Sequence, residues 1–466
     1  MSADSKSRAA ATSSARTYRV TFAGDGSVKL HAEGKRREQT ARVLINDESI
    51  AQEFAAPLDP EQADLIDVAV AAYIADRLCK RGTQALTWSR SLSVVIPVRR
   101  EAHWRRLEGD LRRILEYLTG DSWAFHFTKR TADPRESESQ TTLFRETARQ
   151  PSGAILFSGG LDSLAGLAAM LASGSYADVV AISILTNTRI GAPQLACVQA
   201  LEKRFPEHIR HLSVRIRVEG RSKKAFDSEE HSQRTRGFLF QSIGAVSALS
   251  AGLSTLAIPE NGLGAINLPY LESQFGTQAG RAANPMTLAL MSAFITKLTD
   301  KPFTLSLPHL LQTKGELLGV LAEQGLGGAA ASTVSCDSFP LRHHTELQCG
   351  TCTSCLLRRQ SMRCARLSQW DGTEAYKRNV FAMRSNLQQG AWFELRAMND
   401  QVIRLEAAVR SSDPASSLIS VFPSLAELFA LLRAQGRDTD IDATVDLYRR
   451  YCAEWRDFEQ AYAKAS

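Results

Sequence analysis

The chain has 466 residues, of which 44% are hydrophobic and 23% charged, and its formal net charge at pH 7 is +6. This length and apolar content predict a folded protein of two or three domains, and the modest positive charge admits anionic ligands without requiring nucleic acid. Because no run of eighteen apolar residues occurs, we expect no transmembrane helix and no membrane partner.

The first third of the chain predicts a tail and a separate α+β domain. Residues 1–16 are small and polar, which predicts a disordered tail, although their Ala, Ser and Arg content would also suit a transit peptide. Periodicity over residues 17–149 predicts helices at 61–80 and 104–118 and strands at 18–22, 28–32, 42–46, 92–98 and 123–127. Six arginines in 99–113 form either a solvated surface or a docking face for a nucleic acid or an acidic partner. A polar linker is expected at 131–150.

Residues 154–171, AILFSGGLDSLAGLAAML, contain the most informative stretch of the chain. An apolar run of strand type ends at Ser158-Gly159-Gly160, and apolar residues then recur with helical spacing from Leu164. The two glycines allow close approach of the backbone to a ligand, and a helix N-terminus directs unpaired amides at the same point. The pattern predicts a strand, a phosphate-binding turn and a helix.

Strand and helix signals alternate after this loop. Helices are predicted at 193–205, 237–251 and 284–298, and strands at 155–157, 179–185, 212–218, 255–258 and 303–307. This alternation predicts an α/β fold with a doubly wound parallel sheet over residues 150–366, with ligands at the carboxyl ends of the strands. Asn284-Pro285 and Thr313 with Glu316 are helix-start signals. Residues 367–466 predict a helical C-terminal region, with helices at 392–410, 424–433 and 441–455.

The residues of this loop differ from those of three common phosphate-binding or catalytic loops. The loop lacks the Lys of a Walker A sequence and the spaced glycines of a dinucleotide fingerprint, and Leu156 replaces the first glycine of a nucleophile elbow. It resembles the PP-loop of the ATP pyrophosphatases, Ser-Gly-Gly-x-Asp-Ser. The resemblance implies that the loop binds the pyrophosphate of ATP and that Asp162 helps to hold Mg²⁺. The residues concerned are Ser158, Gly159, Gly160, Leu161, Asp162 and Ser163.

Four of the eight cysteines lie within twenty residues: Cys336, Cys349, Cys352 and Cys355. No secretory signal precedes them, so we expect a reducing, cytoplasmic compartment and metal ligation before disulfides. Two C-x2-C steps and a fourth cysteine at loop distance suit a structural Zn²⁺ site. An iron–sulfur cluster is the alternative, and His343 or His344 could replace one thiolate. The other cysteines are expected to be ordinary core or surface residues.

The two constellations together, over residues 153–366, are similar to the QueC-type 7-cyano-7-deazaguanine synthases. Those enzymes adenylate 7-carboxy-7-deazaguanine, add ammonia and activate the resulting amide to a nitrile. By this resemblance the catalytic residues are Ser158, Asp162, Ser163, Lys314 and Arg236. Departures include Leu164 and Gly237, and the usual substrate segment is replaced by a stretch that contains Glu260 and Asn261. These two residues could either read a purine edge or form a capped turn.

The long N- and C-terminal regions resemble the QueC-like proteins of bacterial anti-phage clusters such as the Qat system. This resemblance implies protein partners and an amine acceptor, either ammonia or a protein. Two alternatives remain: a PP-loop enzyme that modifies tRNA, motivated by basic residues at 99–113 and 342–366, and a non-catalytic nucleotide-binding scaffold.

Overall fold

The computed structural model describes residues 16–34, 38–82, 88–139, 150–219, 230, 232–271, 280–337, 348–380 and 392–464. The N-terminal tail before residue 16, half of the linker expected at 131–150, and His343 and His344 lie outside the described residues. Predictions that concern them stay predictions.

Ten strands form one sheet in the order β10-β9-β6-β7-β8-β3-β2-β1-β4-β5. The strands are β1 (Arg16–Phe22), β2 (Ser27–Ala32), β3 (Gln39–Asn46), β4 (Arg90–Val98), β5 (Ser122–Lys129), β6 (Gly153–Leu156), β7 (Val179–Leu185), β8 (Ile209–Glu219), β9 (Thr255–Ala257) and β10 (Thr304–Ser306).

The sheet consists of two parallel parts joined by antiparallel strands. Strands β10, β9, β6, β7 and β8 are parallel, and so are β1, β4 and β5. Strands β2 and β3 connect the parts, because β3 pairs antiparallel with both β2 and β8. The predicted doubly wound, mainly parallel α/β fold is therefore confirmed.

Helices cover the sheet and form a C-terminal bundle. They are α1 (Glu48–Phe54), α2 (Pro60–Leu78), α3 (Glu101–Thr119), α4 (Leu161–Ala172), α5 (Gly191–Arg204), α6 (Arg236–Ser250), α7 (Gly262–Ile266), α8 (Pro285–Thr299), α9 (Lys314–Glu323), α10 (Gly327–Ala331), α11 (Thr353–Cys364), α12 (Phe393–Val409), α13 (Pro414–Val421), α14 (Leu425–Ala434) and α15 (Thr439–Lys464). The cap at Asn284 and the capping box of Thr313 with Glu316 are both present. None of the described helices is long and apolar enough to cross a membrane.

The largest hydrophobic core crosses the predicted boundary at residues 149/150. It includes side chains of α2 and α3 together with those of β7, α6 and α8. For example, the rings of Trp104 on α3 and Phe294 on α8 have centroids 5.9 Å apart. The N-terminal region thus shares a sheet and a core with the region that follows it, while the exact domain boundaries stay predictions.

The position of β6 defines the functional edge of the sheet. The chain moves from β6 to β7 and β8 on one side, and later to β9 and β10 on the other side. In open α/β sheets, ligands bind where the loops after two such neighbouring strands diverge. Here those loops begin at Phe157 and Ile258, and they carry the predicted phosphate loop and the segment that contains Glu260 and Asn261.

Candidate nucleotide site and cysteine centre

The loop between β6 and α4 depends on a glycine at position 159. Gly159 has φ = +75°, and a Cβ at this position would lie 2.8 Å from the Cα of Gln194 on α5. Both the left-handed backbone and the close packing therefore require glycine. At Gly160 the only neighbour of an added Cβ among the described residues would be the Ser158 hydroxyl, at 3.2 Å, so this glycine leaves room on the open side of the loop.

Two serine hydroxyls bracket the loop. The Oγ atoms of Ser158 and Ser163 are 3.2 Å apart, and Ser163 Oγ donates to the Gly160 carbonyl at 2.9 Å. Gln194 supports the loop from below, because its Nε2 donates to the Ser158 carbonyl at 3.2 Å. Leu161 is buried at the first position of α4 and anchors the helix in the core. The loop therefore presents hydroxyls and a helix N-terminus at the carboxyl edge of the sheet, a fixed arrangement suited to a phosphate group.

Asp162 is the meeting point of three chain segments. Asn261 Nδ2 donates to Asp162 Oδ1 at 2.9 Å, and Lys314 Nζ forms a short ion pair with Asp162 Oδ2. Burial, and the nearby charge of Asp162, raise the pKa of the Glu260 carboxyl. Two carboxyl groups and a lysine thus lie together beside the phosphate loop. Oxygen ligands of this kind are the ones that Mg²⁺ prefers.

A cavity of about 320 Å³ opens in front of the loop. The loop residues, Glu260 and Arg236 contribute its polar lining. Its apolar wall is formed by Ile182, Ile184, Ile190, Pro193, Phe240 and Ile258. An apolar wall beside a phosphate loop suits a ligand that joins a planar ring to phosphates, as ATP does.

Arg236 enters this cavity from the first turn of α6. The preceding residue, Thr235, is buried and donates to Asp76 Oδ2 through its backbone N at 3.1 Å and its Oγ1 at 3.0 Å. Asp76 is itself fixed by a buried ion pair with Arg90, whose Nη2 is 2.5 Å from Asp76 Oδ1. The N-terminal region therefore anchors the start of the helix that carries Arg236.

The four predicted metal ligands form one compact cluster. The Sγ atoms of Cys336, Cys349, Cys352 and Cys355 all lie within 4.8 Å of one another, and those of Cys349 and Cys355 are 3.8 Å apart. Four sulfurs at about 2.3 Å from a zinc ion would lie about 3.8 Å from each other. All eight cysteines are free of disulfides. The cluster could therefore hold zinc, and its compactness favours a single tetrahedral ion over an iron–sulfur cluster.

Arg358 stabilises the chain on both sides of the cysteine cluster. Its buried guanidinium donates to Asp371 Oδ1 at 2.9 Å, to Thr333 Oγ1 at 2.7 Å and to the Ala330 carbonyl at 2.9 Å. Val334, next to this anchored segment and two residues before the first cysteine, lines the nucleotide cavity. The segment that leads into the cysteine cluster, which Arg358 anchors, therefore forms part of the rim of the cavity.

The fold and this site combine a mainly parallel sheet, a Ser-Gly-Gly-x-Asp-Ser loop and a four-cysteine cluster, the features in which the chain resembles the PP-loop ATP pyrophosphatases. Residues 153–366, just under half of the chain, match the family model described as queuosine biosynthesis protein QueC. The match supports a QueC-like protein, and that family implies an enzyme of the ATP pyrophosphatase and ligase type. No curated protein sequence matches the chain.

The structure brings most of the predicted site residues together. All the predicted loop residues except Leu161 line one cavity together with Arg236, whereas Leu161 is buried in the hydrophobic core. Lys314 is not a solvated surface lysine, because it is buried against Asp162. Their roles in catalysis stay predictions. Of the two interpretations of Asn261, the capped turn matches the structure, because Oδ1 caps α7 and Nδ2 binds Asp162.

Two features of the site could not be recognised in the sequence. The support that Gln194 gives to the loop comes from one turn inside α5, where no motif marks it. The apolar wall is built from strand and loop residues that the sequence indicates only as core. Both depend on which strands become neighbours.

Proposed function

We propose that the protein uses ATP to adenylate a carboxylate on a 7-deazaguanine-type substrate and passes the activated acyl group to an amine nitrogen. The observation that carries this proposal is the cavity in which the PP-loop, Asp162 and Arg236 meet an apolar wall, inside the region that matches the QueC family. A loop that holds pyrophosphate favours attack at the α-phosphorus, with pyrophosphate as the leaving group.

The first step joins a carboxylate oxygen of the substrate to the α-phosphorus of ATP. The bond from the α-phosphorus to the bridging oxygen breaks, and pyrophosphate leaves with the electron pair. In the second step an amine nitrogen attacks the acyl carbon, AMP departs and the nitrogen loses a proton. Arg236, at the cavity wall, and the hydroxyls of Ser158 and Ser163 would stabilise negative charge on the phosphates during the first step.

The acidic residues and the cysteines suit two metal ions with different roles. Asp162 and Glu260 offer the oxygen ligands for a Mg²⁺ ion, which when bound would offset the charge of the phosphates. The four cysteines would hold a structural Zn²⁺ ion, with no open position for chemistry. Lys314, already paired with Asp162, would keep this carboxylate in place before nucleotide binds.

The acceptor is the least constrained part of the proposal. It is either ammonia, which would lead to an amide and then a nitrile by a second activation, or the amine of a protein. The resemblance of the long terminal regions to QueC-like proteins of anti-phage clusters motivates a role in bacterial defence, with protein partners from the same cluster in the cytoplasm.

The proposal is tested by incubating the purified full-length chain with MgATP and 7-carboxy-7-deazaguanine, with and without ammonium. We expect release of pyrophosphate and AMP that depends on the deazaguanine, and Asp162→Asn should abolish it. Glu202→Gln, which alters an exposed side chain on α5 outside the cavity, serves as the control. Pyrophosphate release that needs tRNA instead would support the tRNA-modifying alternative. Nucleotide binding without any turnover would indicate a scaffold.

A further inference from the structure

We propose that the C-terminal helix α15 holds both partners of Asp162 in place, and that Glu454 on this helix is a positioning residue for Lys314. The family match ends at residue 366, so α15 lies outside the matched region. The inference rests on the proposed function of Asp162 and Lys314, and it assigns a role in the nucleotide site to the C-terminal region.

The first contact fixes the start of α9, the helix that begins with Lys314. Thr313 Oγ1, the N-cap of this helix, accepts from Glu316 N at 3.1 Å and donates to Glu454 Oε1 at 2.5 Å. The second carboxylate oxygen of Glu454 accepts from Gln360 Nε2 on α11 at 2.8 Å. Glu454 therefore joins the lysine helix to the helix that follows the cysteine cluster.

A second contact from α15 binds Glu316, the other member of the capping box at the start of α9. Arg450 Nη1 donates to Glu316 Oε1 at 2.6 Å, and its Nη2 donates to the Leu311 carbonyl at 2.9 Å. Arg450 and Glu454 are four residues apart on α15, so both point to one face of the helix. Together they hold both members of the capping box, Thr313 and Glu316.

Close packing around Gly315 brings these helices together. A Cβ at Gly315 would lie 2.6 Å from Cys364 Sγ on α11 and 3.1 Å from Glu454 Oε2. Glycine at this position therefore allows α9, α11 and α15 to approach each other next to Lys314. The burial that results raises the pKa of the Glu454 carboxyl.

The other partner of Asp162 is also supported by α15. Asn261 is the N-cap of α7, and a Cβ on the next residue, Gly262, would lie 2.6 Å from Leu447 Cδ2 on α15. Leu447, Ala265 and Ile266 belong to one hydrophobic core with the C-terminal helices. Both side chains that bind Asp162 therefore come from segments that rest on the same helix.

The test is a double-mutant cycle between Glu454 and Lys314 in the full-length protein, with MgATP affinity measured by calorimetry. Glu454→Ala should weaken binding roughly three- to tenfold, and it should have no further effect once Lys314→Met is present, because it acts through the lysine. Glu454→Gln, which keeps an acceptor for Thr313, should restore most of the affinity. Asp457→Asn, at an exposed position on the same helix, is the matched control. Equal losses in both backgrounds would overturn the proposal.

A second measurement tests the positioning role of Glu454 independently of the proposed function. Hydrogen exchange of the amides at 314–318 should be faster in Glu454→Ala than in the wild type, and unchanged in Asp457→Asn. Arg450→Met, which alters a partly exposed side chain, should give the same result if Glu454→Ala does not fold. Unchanged exchange in the Arg450 and Glu454 variants would refute the positioning role. Faster exchange together with no nucleotide turnover would refute the proposed function alone.

Discussion

The burial of the ion pair between Asp162 and Lys314 predicts how much this pair contributes to the free energy of unfolding. The side chains are 19% and 10% exposed, so the pair lies between a surface and an interior ion pair. Surface pairs contribute about 0–1 kcal/mol, whereas removing one member of a buried pair costs about 3–5 kcal/mol. We therefore expect Asp162→Asn or Lys314→Met alone to lower the free energy of unfolding by about 1–3 kcal/mol.

The loss of unfolding free energy in the double variant should be smaller than the sum of the losses in the two single variants. Each single variant leaves one buried charge unpaired, whereas the double variant leaves none. A coupling energy of about 1–2 kcal/mol is expected from urea unfolding of the four proteins in one buffer. Asparagine at position 162 retains an oxygen for Asn261 Nδ2, so the cycle isolates the lysine contact. Additive losses, with a coupling energy below about 0.3 kcal/mol, would refute the interpretation that Asp162 holds Lys314 in the free protein.

Three further predictions concern the loop, the cysteines and Arg236. Gly159→Ala should destabilise the protein by more than about 1 kcal/mol, because Gly159 has a positive φ and packs against Gln194. Gly160→Ala should leave the melting temperature unchanged but weaken MgATP binding. Equal effects of the two variants on the melting temperature would contradict this distinction. The purified protein should contain one zinc per chain by elemental analysis. Cys355→Ser should lower both the zinc content and the melting temperature, whereas Cys364→Ser, outside the cluster, should leave the zinc content unchanged. Zinc should also be lost as pH falls, because the metal binds thiolates. Thr235→Val should weaken MgATP binding several-fold and Thr235→Ser should not, because only serine keeps the side-chain hydroxyl that donates to Asp76. Equal affinities of the two variants would exclude anchoring of Arg236 by this side-chain bond.

Much of the fold could be predicted because its signals are local. The β7 strand, the cap at Asn284 and the capping box at Thr313 each depend on residues that are neighbours in sequence. The phosphate loop is equally local, since its residues are consecutive. Spacing also indicated the cysteine cluster, because three of its members lie within seven residues.

What could not be predicted depends on contacts between distant segments. The pairing of β3 with β8 joins residues about 170 positions apart, and alternation alone does not show which edge strand will meet another. Periodicity therefore indicated a separate N-terminal domain, whereas in the structure one continuous sheet includes the N-terminal strands. In the same way, the capping box at Thr313 was visible, but its bond to Glu454 on a helix 141 residues away was not.

Burial also changes how the arginines bear on the tRNA alternative. Arg358 and Arg359 lie in the interior rather than on a basic surface, the first against Asp371 and the second against the Tyr376 ring. In the 99–113 stretch, Arg99 is bound by three carboxylates, those of Asp64, Asp67 and Glu138. Arg100, Arg105 and Arg112 each pair with a glutamate.

Paired and buried arginines contribute little to the field that attracts a polyanion, so the arginines named above offer RNA less charge than the composition of the two stretches suggests. If tRNA were the substrate, its affinity should fall steeply with salt and should weaken when exposed arginines elsewhere are removed. A small-molecule substrate requires only the charges already gathered at the cavity, namely Arg236 and the loop. Nucleotide binding with a weak salt dependence would therefore favour the deazaguanine substrate over tRNA.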